Sequence, residues 1–389
     1  MTATPITLEA LRFFRQPDGV RLLAEAAALA GTDELRASDL LRAHFPAPLC
    51  RAALALVPLR QAAREKFSLA ETMYFDREGL EMASREEIST YRAGRFRDCQ
   101  TVADLCCGIG GDLLGLAARF QVQAIELDRL RLEMARLNLA AAGRRAALIQ
   151  ADARHFRIRA DAVFMDPARR QDGRRMHRAE DYAPPLSFLQ ELRRGTPEVV
   201  VKVAPAIEET ELPTDCEVEF ISAGQQCREA VLYFGRLATT GRRATVLPGP
   251  HTLESTPGPA VPIAPPGAFI YDPDPALVRA HLLDELAHRL DAWKLDPQIA
   301  YLSSDTCTPT PFARAYRVRT CLPFSLKRLR QFLLAEGLFP AEIKKRRFPI
   351  EPQELRHLLA LPSQGQAVTL ILTRIADRPL VVICFPRGK

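Results

Sequence analysis

Residues 102–117 read VADLCCGIGGDLLGLA, and the interpretation of the whole chain depends on this stretch. An apolar run ends in an acid, two cysteines and three closely spaced glycines, and an amphipathic pattern follows. In an open α/β sheet, the first strand-to-helix turn is a common ligand site, and glycines there let a ligand approach the main chain. The stretch therefore predicts a strand, a ligand-binding turn and a helix.

Short apolar runs recur around this stretch and downstream of it, separated by helix-like segments: TVADLCC, VQAIELD, AALIQAD, DAVFMDP and EVVVKVAP. Short apolar runs that alternate with helices are typical of strands buried on both faces of a parallel sheet. The next segment, EVEFISAGQQCREAVLYFG, predicts a hairpin that adds an antiparallel strand to the sheet. The fold class is therefore α/β, with a doubly wound Rossmann-like sheet.

The rest of the chain predicts further domains around this sheet. Helical spacing of apolar residues predicts a helical N-terminal domain over 1–75, and the sheet domain would cover 76–240. Prolines and glycines predict a linker and a helix over 241–295, with no core element before about residue 275. Residues 296–389 predict a compact α+β domain. Ser84 and Glu87 predict a capping box for a helix that runs through Arg95.

Composition indicates a globular protein of a reducing compartment. The chain has 389 residues, of which 47% are apolar, and a formal net charge of +6. It contains no apolar run of membrane-spanning length and no secretory leader pattern, so we expect a cytoplasmic protein with no membrane partner. Nine cysteines form no C-x-x-C pair and no zinc spacing, so we expect no metal.

The glycine spacing disfavours a phosphate-binding turn. Leu113 stands where the third glycine of a dinucleotide fingerprint would be, and the Lys-Ser/Thr pair of a P-loop is absent. Asp104, Glu126 and Asp152 instead place acids at the ends of three successive strands. Such acids suit a cationic nucleoside without phosphate, which describes S-adenosylmethionine. The alternative is that these acids, with Asp128, only cap the following helices.

Four segments carry a family resemblance: DLCCGIGGD, AIELDRLRLEMARLNLAAAG, QADARHF and FMDPARR. They resemble motifs I to IV of class I S-adenosylmethionine-dependent methyltransferases, and motif I is similar to that of trimethylguanosine synthase-like enzymes. With the upstream ASREEISTYRAGRF and the downstream KRRFPIEPQELRHLL, the layout resembles bacterial methyltransferases that carry a C-terminal THUMP-like domain. The resemblance covers about 100–235 for the methyltransferase motifs and about 300–389 for the THUMP-like part.

The resemblance implies S-adenosylmethionine as cofactor and assigns its contacts. Those to the methionine part would come from Asp104, Cys106, Gly108 and Gly110. Glu126 would bind the ribose, and Asp152 with Ala153 the adenine. The full cofactor set also includes Gly111, Leu127, Asp128 and Asp166. For Cys106 and Cys107, packing is the preferred interpretation over redox chemistry.

The methyl acceptor would meet Asp166, Pro167 and Arg169, the predicted catalytic set. Amino-methylating relatives usually have Asp/Asn-Pro-Pro-aromatic here, whereas this chain has Asp-Pro-Ala-Arg, and Arg169 can pair with phosphate as well as stack on a base. Uracil-5 methyltransferases share Asp-Pro-x-Arg but need a cysteine after the next strand, where VVVKVAPAIEE has none. A covalent pyrimidine mechanism is therefore disfavoured.

Two basic clusters predict a polyanionic partner, since phosphate contacts dominate nucleic-acid affinity. The predicted RNA-binding residues are Arg169, Arg170, Arg174, Arg175, Arg178, Lys344, Lys345, Arg346 and Arg347. Lys327, Arg328 and Arg330 belong to the second cluster. Lys202, an unusual charge in an apolar run, is expected to face the cofactor cleft, and Glu229 to face it or to pair with Arg228.

These features predict an S-adenosylmethionine-dependent methyltransferase that methylates a base nitrogen in transfer or ribosomal RNA. Two alternatives stay open. A small-molecule or protein methyltransferase would use the arginines for an acidic substrate. An RNA-binding protein with a vestigial cofactor site would explain Ala168 and Arg169.

Overall fold

The computed structural model describes residues 6–168, 170–171, 174–176, 178–361 and 364–385. The chain divides into two compact units. Unit 1 comprises the described residues up to Val218 together with Glu229–Thr239, and unit 2 comprises Glu219–Arg228 with the described residues from Thr240 onward. No helix in the described part of the chain is long and apolar enough to cross a bilayer.

Unit 1 begins with six helices: α1 (Leu8–Phe13), α2 (Pro17–Ala28), α3 (Glu34–Arg42), α4 (Ala47–Ala63), α5 (Arg77–Met82) and α6 (Glu86–Ala93). Their apolar faces share one core with side chains from the sheet region, including Ile109, Met134 and Leu137. The helical segment therefore packs directly against the elements that follow it. The four-part division predicted from sequence stays a proposal about domain boundaries.

The sheet region alternates strands and helices as the apolar runs predicted. Its elements are β1 (Thr101–Leu105), α7 (Gly111–Leu116), β2 (Gln121–Glu126), α8 (Arg129–Ala141), β3 (Ala147–Gln150), β4 (Ala162–Met165), β5 (Arg170–Gln171), β6 (Arg174–Arg175), α9 (Leu189–Gly195), β7 (Val199–Val203), β8 (Glu217–Ala223) and β9 (Gln226–Tyr233). The strands of unit 1 run in the order β3-β2-β1-β4-β7-β9. All neighbours are parallel except β7 and β9.

This order confirms the predicted doubly wound sheet and its antiparallel hairpin strand. Strands β4 and β7 are buried along their whole length, as expected for parallel strands covered on both faces. The strand order reverses between β1 and β4, and ligands bind such sheets at the carboxyl ends of the strands beside that point. The turns after β1, β2, β3 and β4 therefore lie where a ligand site is expected.

Unit 2 contains a hairpin and a second sheet. Its elements are β10 (Arg242–Leu247), β11 (His251–Glu254), β12 (Phe269–Pro273), α10 (Pro275–Ala280), α11 (Leu283–Leu290), β13 (Trp293–Asp296), β14 (Ile299–Ser304), β15 (Ala313–Pro323), α12 (Leu326–Ala335), β16 (Leu338–Lys345), α13 (Pro352–Leu359), β17 (Gln366–Ile375) and β18 (Arg378–Cys384). The second sheet has the order β13-β14-β12-β15-β18-β17-β16, so the predicted α+β character of the C-terminal part is confirmed.

The expectation of no core element before residue 275 is wrong. Strand β10 pairs antiparallel with β11 and buries Ala244, Thr245 and Leu247. Two buried positions of β10 are polar: Arg243 pairs with Glu254, and Thr245 donates a hydrogen bond to Glu219. These polar side chains can be buried because they have partners, but they interrupt the apolar pattern from which a strand is predicted.

Candidate active site

The turn after β1 is built on left-handed backbone. The φ angle is +63° at Cys106, +56° at Gly108 and +93° at Gly110. The amides of Cys106 and Cys107 both donate to the carbonyl of Ile125, at 2.9 and 3.1 Å, and so tie the turn to β2. A Cβ on Gly108 would meet nothing within 4 Å, whereas one on Gly110 would lie 3.4 Å from the main chain of α8. Gly108 thus leaves room for a ligand, and Gly110 allows close helix packing.

Asp104 is a fully buried acid whose two carboxylate oxygens have no hydrogen-bond partner among the described residues. Burial raises its pKa well above the ordinary value, and the nearby charges of Asp112, Asp166 and Glu126 raise it further. An unpartnered buried polar group costs free energy, so native proteins keep one where a ligand or a special role explains it.

Glu126, at the end of β2, fixes the glycine turn. One carboxylate oxygen accepts from the Gly108 amide at 2.8 Å, and the other accepts from the Asp128 amide at 2.9 Å. The Asp128 side chain in turn accepts from the amides of Leu130 and Arg131 at the start of α8. The observed contacts of Asp128 are those of a helix cap.

The third strand ends in a salt-bridged acid. Asp152 accepts from the Arg154 amide at 2.9 Å and lies 2.6 Å from the Arg154 guanidinium. The hydrogen bond from this guanidinium lowers the pKa of Asp152 to about 2, so the carboxylate is charged at neutral pH. Leu127 directly follows Glu126 in the chain. Its side chain is 65% exposed, which is unusual for a large apolar residue.

A cavity of about 430 Å³ brings most of the predicted cofactor residues together. Those that line it are Asp104, Cys106, Gly108, Gly111, Glu126, Leu127, Asp152, Ala153 and Asp166. Gly110 and Asp128 do not line it. The wall also includes Met82 at the end of α5, Ala83 directly after it, Pro167, and the segment 182–185. Its volume is in the range of a cofactor-sized ligand site.

Asp166, which follows β4, is paired with a buried lysine. Lys202 of β7 is 1% exposed, and its Nζ lies 2.7 Å from Oδ2 of Asp166. The same ammonium donates to Oγ of Ser84 at 2.9 Å and to the Met82 carbonyl at 3.4 Å. Lys202 does not line the cavity, so its charge reaches the cavity only through these partners.

A second buried cation, Arg92 of α6, completes a charge network behind the cavity. It pairs with Asp112 of α7 and with Glu229 of β9, and Lys202 lies 3.8 Å from each of these acids. Arg92 was not among the predicted residues, because nothing in its local pattern separates it from the other arginines of that region. Of the two alternatives for Glu229, pairing with Arg228 is not observed, and Glu229 pairs with Arg92 instead.

The predicted capping box at Ser84 is wrong. Helix α6 begins at Glu86 with Arg85 in the cap position, and Arg85 makes no side-chain capping bond. The Ser84 hydroxyl instead donates to Asp112 at 2.8 Å and accepts from Lys202. Buried charges bind this hydroxyl more strongly than a helix terminus would, because the low-dielectric interior strengthens charge-assisted hydrogen bonds.

Much of the predicted arginine-rich segment lies outside the described part of the chain. Arg169 lies outside the described residues, as do the side chains of Arg170, Arg174 and Arg175. The backbones of β5 and β6 pair antiparallel, and Arg178 is exposed.

The second basic cluster is largely paired within unit 2. Lys344 and Arg346 both contact Asp272, at 3.0 and 2.8 Å. Lys345 pairs with Glu351, and Arg347 donates a hydrogen bond to Gln298. Within the described chain, the exposed side chains of Lys327 and Arg328 on α12 have no ion-pair or hydrogen-bond partner. These two cations are therefore the more available ones for an anionic partner.

The cysteines of the turn have the surroundings of packing residues. Burial raises the thiol pKa of both Cys106 and Cys107, which disfavours the nucleophilic thiolate. Among the described residues, no group of three His, Cys, Asp or Glu side chains is arranged to hold a metal ion.

Comparisons with known proteins agree with this architecture. Residues 313–386 match the family described as THUMP domain-like, and residues 7–63 match a domain of unknown function. A solved structure from Porphyromonas gingivalis W83, of a protein inferred to be a methyltransferase, is 22% identical with a TM-score of 0.75 and covers 95% of this chain and 99% of that one. The two chains therefore share a fold.

Curated relatives give the family. Two proteins of Mycobacterium tuberculosis, from strains CDC 1551 / Oshkosh and ATCC 25618 / H37Rv, are each 39% identical over 308 residues. The match covers 77% of this chain and 84% of theirs. Both are named as uncharacterized S-adenosylmethionine-dependent methyltransferases. This protein therefore belongs to the S-adenosylmethionine-dependent methyltransferases, and S-adenosylmethionine is its cofactor.

Proposed function

We propose that this methyltransferase acts on RNA, transfer or ribosomal, and methylates a base nitrogen by direct in-line transfer. The observation that carries the proposal is the position of Asp166, which lines the cavity and is followed in the chain by the arginine-rich segment 169–178. Asp166 would supply a hydrogen-bond acceptor for the target amine. The arginines that follow it in the chain would supply cations that bind phosphate.

The residues of the cavity fit the cofactor. Asp104 offers two buried carboxylate oxygens that have no hydrogen-bond partner in the described chain, and Gly108 leaves space where a side chain would stand. We infer that Asp104 and the glycine turn hold the methionine part, Glu126 the ribose, and Asp152 with Leu127 and Ala153 the adenine. When bound, S-adenosylmethionine supplies an electrophilic methyl group.

The chain's own contribution is to orient the acceptor and exclude water. Asp166 would accept a hydrogen bond from the amine N–H and so direct the nitrogen lone pair, while Pro167 and segment 182–185 would shield the reacting atoms. The sequence has no cysteine where a covalent pyrimidine mechanism needs one, directly after β7. Direct transfer to nitrogen needs no such nucleophile.

The RNA part of the proposal rests on charge and on the C-terminal match. A THUMP-like segment at 313–386 suits recognition of structured RNA. The exposed cations Lys327 and Arg328, with Arg178 beside the acceptor segment, would contact phosphates. Arg169 would stack on a base or pair with phosphate.

The test is methyl transfer to total RNA from cells that lack this gene. Labelled S-adenosylmethionine is supplied with wild type, Asp166→Ala or Asp166→Asn. We expect label in RNA with wild type and a rate at least about 10²-fold lower with either variant, because general acid–base and orienting groups contribute on that order. Digestion to nucleosides then names the base.

Two other outcomes would redirect the assignment. Label in small molecules or proteins but not RNA would favour an acidic substrate held by the arginines. RNA binding without any turnover of cofactor would favour an RNA-binding protein with a vestigial site.

A further inference from the structure

The buried ammonium of Lys202 has an asymmetric set of partners. Its side chain is 2% exposed, and the three carboxylates around it belong to Asp112, Glu229 and Asp166, which are 9%, 6% and 21% exposed. Asp112 and Glu229 are both held by Arg92 as well. For the Asp166 carboxylate, Lys202 is the sole hydrogen-bond or ion-pair partner among the described residues.

The geometry of the ammonium fixes one side of Asp166. An ammonium has three N–H donors, and those of Lys202 are directed to Oδ2 of Asp166, Oγ of Ser84 and the Met82 carbonyl. Oδ1 of Asp166 has no hydrogen-bond partner in the described chain. Lys202 therefore occupies one carboxylate oxygen of Asp166, a residue that lines the cavity, and leaves the other oxygen without a hydrogen-bond partner in the described chain.

The same ammonium joins Asp166 to the cavity wall. Met82 and Ala83 line the cavity, and the chain at the end of α5 is bound to Lys202 through the Met82 carbonyl and the Ser84 hydroxyl. An acid that orients a substrate must be held to within a fraction of an ångström, which requires a fixed partner on its side away from the substrate. The hydrogen bond from Lys202 to Oδ2 of Asp166 can provide this contact.

We propose that Lys202 is a positioning residue for methyl transfer: it holds Oδ2 of Asp166 so that Oδ1 receives the N–H of the acceptor. This inference rests on the proposed role of Asp166 but not on the acceptor being RNA. The competing view is that Lys202 only balances buried charge, in which case its loss would affect stability alone.

The experiment uses full-length protein, labelled S-adenosylmethionine and unfractionated extract from cells lacking the gene, with label afterwards partitioned among RNA, protein and small molecules. Wild type is compared with Lys202→Met, Asp166→Asn and the double variant. We expect Lys202→Met to lower the initial rate at saturating cofactor about 10²-fold, with the KM for cofactor changed less than about threefold. The double variant should be no more than about threefold slower than Asp166→Asn, because both substitutions disrupt the same Lys202–Asp166 pair.

Two further measurements separate positioning from stability. Arg95→Met removes another buried cation, which is paired with Glu217. It should lower the melting temperature, with little loss of methyl-transfer rate at temperatures where the protein stays folded. Lys202→Ala should regain activity with added ethylammonium, which refills the vacated cation position, whereas a purely structural defect would not respond.

The outcomes for the two proposals are distinct. Wild-type label in protein or small molecules would overturn the RNA assignment, and the Lys202 comparison would proceed on that acceptor. A wild-type rate for Lys202→Met would overturn the positioning role. So would losses that multiply in the double variant.

Discussion

Asp104 is a buried carboxyl group whose raised pKa has a consequence for stability. An acid with a higher pKa in the folded protein than in the unfolded chain holds protons that the unfolded chain releases. Stability therefore declines as pH rises above the unfolded value of about 3.9 and towards the folded pKa. Asp104→Asn removes this penalty. We expect it to increase the free energy of unfolding at pH 7 by about 0.5–2 kcal/mol, and to weaken cofactor binding about tenfold.

Calorimetric unfolding at pH 5 and pH 8, with titration calorimetry of cofactor, checks this prediction. The matched comparison is Asp112→Asn, because Asp112 is also a buried acid but is paired with Arg92 and Ser84. Breaking that buried pair should destabilise the protein by about 3–5 kcal/mol. Equal destabilisation by both substitutions would contradict the assignment of Asp104 as the unpaired ligand-binding acid.

At the scale of elements, the contact between α6 and α7 depends on a glycine. A Cβ on Gly115 would lie 2.5 Å from the Ser89 carbonyl oxygen, so Gly115→Ala must push the helices apart. We expect a loss of about 1–3 kcal/mol in the free energy of unfolding, and reduced activity because α6 carries Arg92.

The control for this prediction is Gly195→Ala at the end of α9. A Cβ there would meet nothing within 4 Å, so this substitution should be neutral or slightly stabilising in the same denaturant titration. Comparable destabilisation by the two alanines would show that crowding at Ser89 is not the cause.

The elements of the sheet could be predicted because their signals are local. Apolar runs that end in acids mark β1 to β4, and three glycines mark the turn. The charge network could not be predicted, since Arg92 is 20 residues from Asp112 and 137 from Glu229, and no local pattern connects them. Ser84 shows the same limit: a local capping rule was outweighed by partners brought together by the fold.

At the scale of the whole molecule, the proposed RNA binding should depend on cations that lack internal partners. Replacing both Lys327 and Arg328 by glutamine should weaken binding of the natural RNA about tenfold or more. It should also lower the slope of log affinity against log salt by about 2, one for each lost phosphate contact. Filter binding at several salt concentrations measures both quantities.

The matched variant replaces Lys344 and Arg346 by glutamine. Both side chains are already paired with Asp272, so we expect a smaller change in the salt slope. A larger effect from this pair than from the α12 pair would contradict the assignment of α12 as the main phosphate contact. The sequence showed where basic residues are dense, but their availability depends on acids distant in the chain, such as Asp272.

The ion pairs of Arg92 join residues that leave the ribosome at different times during protein synthesis. The ribosome releases Arg92 and Asp112 long before Glu229, which lies 137 residues after Arg92. A nascent chain that ends before β9 therefore lacks one of the two acids that neutralise this buried guanidinium, and the wall behind the cofactor site is incomplete. We therefore expect chains truncated before β9 to bind S-adenosylmethionine more weakly than the full-length protein.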